Sequence, residues 1–423
     1  MTPRLPATLR DGAALARRFA RTTPGIIAAL ALALVVLCLF AGFTGAGQLG
    51  GKIERGEEVL TRTEPLADAA QNLYVSLSAA DAAAAEAFLS GGVESPEIRV
   101  RYQQALADAA DALAQATTGA ADERTRRIVA RISAELPAYT GLVEAARANN
   151  RQGFPVGSAY LRQASDVMQN SLLRNAEELS SARFAALHED QRAIGALPFT
   201  TIAAQLLVLA ALGGGSLVLL RRTNRRVNTG LVAAAAATGV ALVWTVAATG
   251  VAGAALGAGP GGSASDFETL AEARILAQQA RTAETLQLIT RGDIAASEEA
   301  FTTHTTALRD RVHAVTGEDS AAAQRLQGWT EGHRWQLAAY QSADYPAAVT
   351  QAIGTGPQTS ATRFAALDRT LREDLQRVRS DLRGGVDGAG DTLTLSPSGT
   401  LLLMLFAAAA AVAGLWPRLK EFL

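Results

Sequence analysis

The sequence predicts an all-α membrane protein with four transmembrane helices and two tandem extracytoplasmic four-helix bundles from an internal duplication. Three features predict it. Four charge-free apolar runs divide the chain, at Ile26–Phe43, Pro198–Leu220, Gly230–Leu256 and Ser398–Trp416. The long stretches after the first and third runs carry apolar residues at alternating steps of three and four, the period of packed helices. The order of span, helical stretch and span recurs at an offset of about 200 residues, the mark of a repeated unit.

Each run approaches or exceeds the roughly 20 apolar residues that cross a ~30 Å hydrocarbon core. The alanine-rich third run is the least hydrophobic per residue, but its length and lack of charge argue for insertion. The first has the basic lead of a signal peptide. Phe40–Gln48 offers only a weak small-residue cleavage site, however, and a long helical pattern follows, so a retained anchor is expected. Arginine placement sets the orientation. Arg4, Arg10, Arg17, Arg18 and Arg21 precede the first span; Arg221, Arg222, Arg225 and Arg226 separate the second from the third; Arg418 and Lys420 follow the fourth. The positive-inside rule therefore puts residues 1–25, 221–229 and 417–423 in the cytoplasm of a plasma-membrane protein. Residues 44–197 and 257–397 then face outward. The inner pieces hold 11 of the 39 basic residues and 2 of the 40 acidic ones, so the near-neutral total of −1 divides into a basic inside and an acidic outside. Beyond fixing topology, the four loop arginines are candidates for contact with an acidic cytoplasmic partner or anionic lipid.

The first outside segment reads as four helices. Leu66, Ala70, Leu73, Leu77, Ala80, Ala84 and Ala87 stripe the first, which Gly91-Gly92 ends. Ser95-Pro96 gives an N-cap and a first-turn proline to the second. Asp122 starts the third, which carries Val129, Ile132, Tyr139 and Val143 and a kinking Pro137. After the loop Arg151–Gly157 the fourth helix begins near Ser158 and runs unbroken towards the second span. The second segment repeats the order near Ser265–Thr290, Ile294–Val315, Ser320–Gln341 and Ser360–Arg383. It leaves through Gly384–Ser398, whose four glycines and proline predict an easily bent joint.

No cofactor, metal or catalytic signature appears: there is no phosphate-binding glycine loop, no His-Glu-x-x-His, no cysteine pair and no nucleophile elbow. The single Cys38 lies in the first span and reads as apolar filler. The cytoplasmic pieces total fewer than 50 residues, so no kinase, cyclase or phosphatase domain fits and an enzyme is not expected. Three residue groups remain. His304 and His333 sit on helices that antiparallel packing brings near each other, and read either as a proton or metal site or as bundle-edge histidines. Arg99, Arg101, Arg274 and Arg281 read either as carboxylate-binding forks or as a solvated charged face. Phe154-Pro155 and Tyr345-Pro346 sit in corresponding loops, where they either dock an outside partner or fold back to plug the bundle ends.

Two span–bundle–span halves with basic stubs at Met1–Arg21, Arg221–Arg226 and Arg418–Leu423 resemble the GlnX-type membrane proteins of actinobacteria. The resemblance covers the whole chain and rests on architecture. It implies a signal-relay adaptor between an extracytoplasmic solute-binding lipoprotein, GlnH, and a cytoplasmic serine/threonine kinase, protein kinase G, with glutamate, aspartate or glutamine status as the signal. Nucleic acid is not an expected partner, and homodimerisation stays open. Each half also resembles the four-helix sensor regions of chemoreceptors and histidine kinases. Two alternatives remain: a direct receptor with its ligand in a bundle groove, and a scaffold that senses nothing. A transporter fits poorly, because the spans carry no charge and no paired broken helices.

Overall fold

The computed structural model describes residues 23–91, 95–119, 123–223, 228–257, 262–290 and 294–420. Among them the regular structure is helical and there is no strand. The chain divides into two compact units. One comprises the described parts of Met1–Glu57, Gln191–Ala258 and Val386–Leu423; the other comprises those of Glu58–Asp190 and Gly259–Gly385.

The first unit is built on α1 (Thr23–Glu58), α7 (Phe199–Thr223), α8 (Thr229–Ala255) and α14 (Ser396–Lys420). Four helical segments are long and apolar enough to cross a membrane, and these helices lie in them. Inward they bury Leu34, Cys38, Val208, Ala234, Met404 and Ala411. Outward they expose Leu32, Phe40, Phe199, Val243, Leu402 and Trp416. Helices apolar on both faces suit lipid rather than water. Small residues let α8 and α14 approach closely. A Cβ at Gly230 would fall 2.4 Å from the Gly414 Cα, so only glycine fits there. Asn228 caps α8 through its side-chain oxygen and donates Nδ2–H to the Gly414 carbonyl at 2.8 Å.

The second unit holds two helical sets. The first has α2 (Glu64–Leu89), α3 (Pro96–Thr118), α4 (Glu123–Arg151), α5 (Val156–Val167) and α6 (Leu173–Gly195). All seven residues of the predicted α2 stripe are buried. Ser95 caps α3 by accepting from the Ile98 amide at 3.3 Å, with Pro96 at the first helical position. The second set has α9 (Ser263–Thr290), α10 (Ala295–Thr316), α11 (Ala321–Gln341), α12 (Tyr345–Ile353) and α13 (Ser360–Leu393). Its core is Phe301, Leu308, Val312, Leu326, Trp329 and Leu371. α2 packs on α9, so the two sets share a wall.

Several local features depart from the sequence reading. Two π-helical turns, Val59–Thr63 and Met168–Leu172, interrupt the long helices. Asp122 and Arg291–Asp293 lie outside the described residues. The short α12 was unanticipated; Asp344 caps it through the Ala347 amide, and Pro346 sits in its first turn. The expected unbroken run from the fourth helix into the second span breaks at Ala196–Pro198. Pro198 disfavours a helical Leu197, and Lys52 completes the break: its ammonium donates to the carbonyls of Ala193, Ile194 and Ala196, capping α6. Conversely, the glycine-rich joint after Arg383 is helical through Leu393, because Leu382, Val386, Ala389 and Leu393 bury one continuous face. That burial outweighs the roughly 1 kcal/mol helix penalty of each glycine.

Candidate functional site

Three polar features stand out in the second unit, each built by helices that the sequence pattern places side by side. The largest is a buried ionic cluster in the second set. The Glu284 carboxylate on α9, fully buried, accepts from Arg281 Nη1 at 2.6 Å, from Trp329 Nε1 at 3.2 Å and from the Ser360 hydroxyl, and lies 3.1 Å from His333 Nδ1. The other imidazole nitrogen is 3.0 Å from Glu298 on α10, and Phe301 stacks on the ring at 3.6 Å. Arg281 also donates to Glu86 on α2 at 3.2 Å and to the Ala352 carbonyl at 2.7 Å. Burial alone would raise the Glu284 carboxyl, but the Arg281 charge and the His333 and Ser360 hydrogen bonds outweigh it and hold the group down at about 2. Burial alone would lower the His333 imidazole; the hydrogen bonds to Glu284 and Glu298 outweigh it and lift the group to about 9. At neutral pH this is an ionised, hydrogen-bonded cluster.

The second feature is Asp81 on α2. It accepts from Tyr139 Oη at 3.3 Å, Ser165 Oγ at 3.1 Å and Gln169 Nε2 at 3.2 Å. Gln169 comes from the π turn Met168–Leu172, a kind of helix defect often found at functional sites. The partners are neutral, so burial raises the Asp81 carboxyl and the three hydrogen bonds only oppose it.

The third is a cavity of about 70 Å3 at the end of the first set, where α2 finishes, α3 starts, α4 finishes and α5 starts. One wall is apolar, with Ala84, Ala87, Phe88, Val143 and Leu161; Arg99, Arg147, Arg151, Asn150 and Glu144 line the rest. Arg147 is held in place by Glu144 at 2.8 Å and lies over the Tyr102 ring at 4.2 Å. Asn150 donates to the carbonyls of Phe88 and Gly91, which fixes the end of α2 against α4.

The residues singled out by the sequence divide among these features. Of the four arginines, Arg99 lines the cavity. Arg101 pairs with Glu86 at 2.7 Å, Arg274 with Asp368 at 3.5 Å, and Arg281 belongs to the buried cluster. His333 is central to that cluster, whereas His304 is half-buried further along α10, where burial lowers its imidazole. The carboxylates around His333 come from α9 and α10, so no spacing within its own helix signals them. Phe154 is exposed and Pro155 with it; Gly153, at φ +74°, ends α4 and turns Phe154 outward. Tyr345 folds back and donates its hydroxyl to the Leu288 carbonyl at 2.9 Å, packed beside Ala348 and Ala352, while Pro346 stays exposed. Arg221 and Arg222 belong to α7; Arg225 and Arg226 lie outside the described residues. Among the described residues no group of three or more His, Cys, Asp or Glu side chains is placed to hold a metal ion.

Residues 55–192 match the family model described as an actinobacterial sensor domain. The match spans about a third of the chain and contains the first helical set, with both Asp81 and the arginine-lined cavity. It supports a sensing or signalling role, and together with the four apolar helices it fits a multi-pass membrane protein of the sensor type. No curated protein and no solved structure matches the chain.

Proposed function

We propose that this protein is a transmembrane signal relay, not an enzyme. In this reading the two helical sets are duplicated sensor bundles outside the cell. They register an extracytoplasmic amino-acid-binding lipoprotein, and with it glutamate, aspartate or glutamine status, and a cytoplasmic serine/threonine kinase reads the change. The observation that carries the proposal is the position of the sensor-domain match, 55–192, between the apolar helices α1 and α7. A sensor anchored at both ends has two membrane-crossing helices through which a shift of packing is transmitted. The arginine-rich flanks support cytoplasmic termini and a cytoplasmic loop of Arg221, Arg222, Arg225 and Arg226. The exposed Phe154-Pro155 turn is the better placed of the two outside docking candidates. Tyr345 already spends its hydroxyl and one ring face inside the protein, which leaves Pro346 as the accessible residue of that pair.

Photo-crosslinkers placed singly at Phe154 and at Arg222 in living cells test the relay. The expected products are a solute-binding lipoprotein from the first and a serine/threonine kinase from the second. Recovery of neither, or a reporter fusion placing Arg222 outside the cell, would overturn the proposal. The cavity between α2, α3, α4 and α5 favours a second reading, in which the first set binds a small molecule itself.

A further inference from the structure

We infer that the cavity at the end of the first helical set is a binding site for a small carboxylic acid with a short apolar body. The inference deepens the sensing role proposed for residues 55–192 and rests on it. The chemistry of the walls chooses the ligand. Among the described residues three arginines line the space against one glutamate, and that glutamate is engaged by Arg147. Guanidinium groups match a carboxylate through paired, charge-assisted hydrogen bonds. Arg147 is pre-set for this task. Its side chain is only 11% exposed, and the Tyr102 ring and Glu144 fix the guanidinium plane before any ligand arrives. Arg99 and Arg151 stand exposed at the rim, where they can close on an anion.

The opposite wall decides against a bare inorganic anion. Ala84, Ala87, Phe88, Val143 and Leu161 offer nothing to a phosphate oxygen, but they cover a chain of two or three methylene groups. Size limits the ligand: a volume of about 70 Å3 holds roughly two waters, so only a small acid fits, with its remainder at the open rim. Position gives the site consequence. The lining residues come from four successive helices, so an occupant touches the end of α2 and the starts and ends of its neighbours together. Glu86 stands between the lining residues Ala84 and Ala87 and joins α2 to Arg101 on α3 and Arg281 on α9. A ligand that repositions this end of α2 therefore acts on a residue that ties both helical sets together.

The test uses the full chain in lipid nanodiscs, with thermal unfolding and calorimetry as readouts. The probes are propionate, butyrate and succinate, with inorganic phosphate and chloride at matched ionic strength as controls. A saturable rise in Tm with the carboxylates, absent with chloride and at least tenfold weaker with phosphate, is expected. The double variant Arg99→Gln/Arg151→Gln alters only exposed rim positions, so it folds; it should weaken carboxylate binding at least tenfold. Arg147→Lys keeps the charge but loses the planar fork, and should weaken binding while leaving the unliganded Tm within a few degrees. No saturable carboxylate effect, an equal effect of phosphate, or full binding by the rim variant overturns the inference. The relay is judged separately by the crosslinking products at Phe154 and Arg222, which this result leaves untouched.

Discussion

Replacing Glu284 with glutamine isolates the charge of the buried cluster while keeping its shape. The native carboxylate is the anion shared by Arg281 and His333 and accepts from Trp329 and Ser360. Glutamine can still accept from Trp329 and donate its amide to the Ser360 hydroxyl, but it leaves two cations facing each other in the interior. Arg281 keeps Glu86, and His333 keeps only Glu298, which is a third exposed. Removing one partner of a buried ion pair costs about 3–5 kcal/mol. Linkage gives a consistent figure: the Glu284 carboxyl falls from 4.5 to about 2, which corresponds to about 3 kcal/mol of stability. The His333 shift from 6.5 to about 9 reflects the same pair, so the two figures do not add. For a unit of this size the expected loss in Tm is roughly 10 °C.

The sign of the pH dependence follows from the two shifts. Glu284, lowered on folding, contributes stability above its unfolded value of 4.5 and loses it as pH falls towards 2. His333, raised on folding, contributes fully below 6.5 and loses its share as pH rises through about 9. The wild type should therefore hold a plateau between about pH 4.5 and 6.5 and decline on the alkaline side up to about 9. In Glu284→Gln the imidazole loses its main anion, so the alkaline decline should start lower and be shallower. Thermal unfolding of the full chain in nanodiscs, followed by tryptophan fluorescence because Trp329 touches the site, measures both effects. A Tm change under about 2 °C at pH 7 with an unaltered pH profile would refute an ionised cluster.

Three further outcomes follow from the same geometry. Asp81→Asn removes a carboxyl whose ionisation burial disfavours; the asparagine variant should be the more stable at neutral pH, and its advantage over the wild type should shrink as pH drops towards 4, since a raised acid loses its stability contribution only on ionising. Unfolding curves at pH 4 and pH 7.5 settle it. Gly230→Ala puts a methyl 2.4 Å from the Gly414 Cα and should cost about 1–3 kcal/mol by forcing α8 and α14 apart, read as lower thermal stability in detergent. Lys52→Met strips the cap from three carbonyls at the end of α6, with an expected loss of about 1–3 kcal/mol and faster amide exchange across residues 193–198; unchanged exchange there would show that the ammonium does not hold the break.

What the sequence disclosed depended on the range of the interaction. The α2 stripe, the Ser95 cap and the four apolar runs are local periodicity and local chemistry, and they stand in the structure where they were expected. The break at Ala196–Pro198 had a local hint in Pro198, but its cap is an ammonium some 140 residues earlier, which no window of sequence contains. The glycine-rich stretch after Arg383 misled for the opposite reason. Glycine content argued for a loose joint, while the spacing of Leu382, Val386, Ala389 and Leu393, visible in the same residues, specified a buried helical face and prevailed. The ionic cluster was the least legible. Arg281 and His333 stood out singly, but their partners Glu284, Glu298 and Ser360 come from α9, α10 and α13 and are ordinary surface residue types.

The same order of helices thus encloses two different interiors. At one offset of 200 the first set carries Asp81 and the second carries Arg281. The first interior holds a carboxyl whose charged form is disfavoured, a π turn beside it and a cavity at its end. The second is tied together by the ion pairs that join Arg281, Glu284, His333 and Glu298. Buried networks with every partner present resist rearrangement, whereas a cavity and an uncompensated carboxyl leave alternatives of similar energy. In the proposed relay the first set, which is also the segment matched by the sensor-domain family, is the responsive element and the second set the reference against which α2 would shift. Glu86, Tyr74 and Glu64 on α2 bond to Arg281, Gln279 and Arg379 of the second set. A displacement of α2 would strain those contacts, which makes them the route by which the proposed relay would couple the two sets.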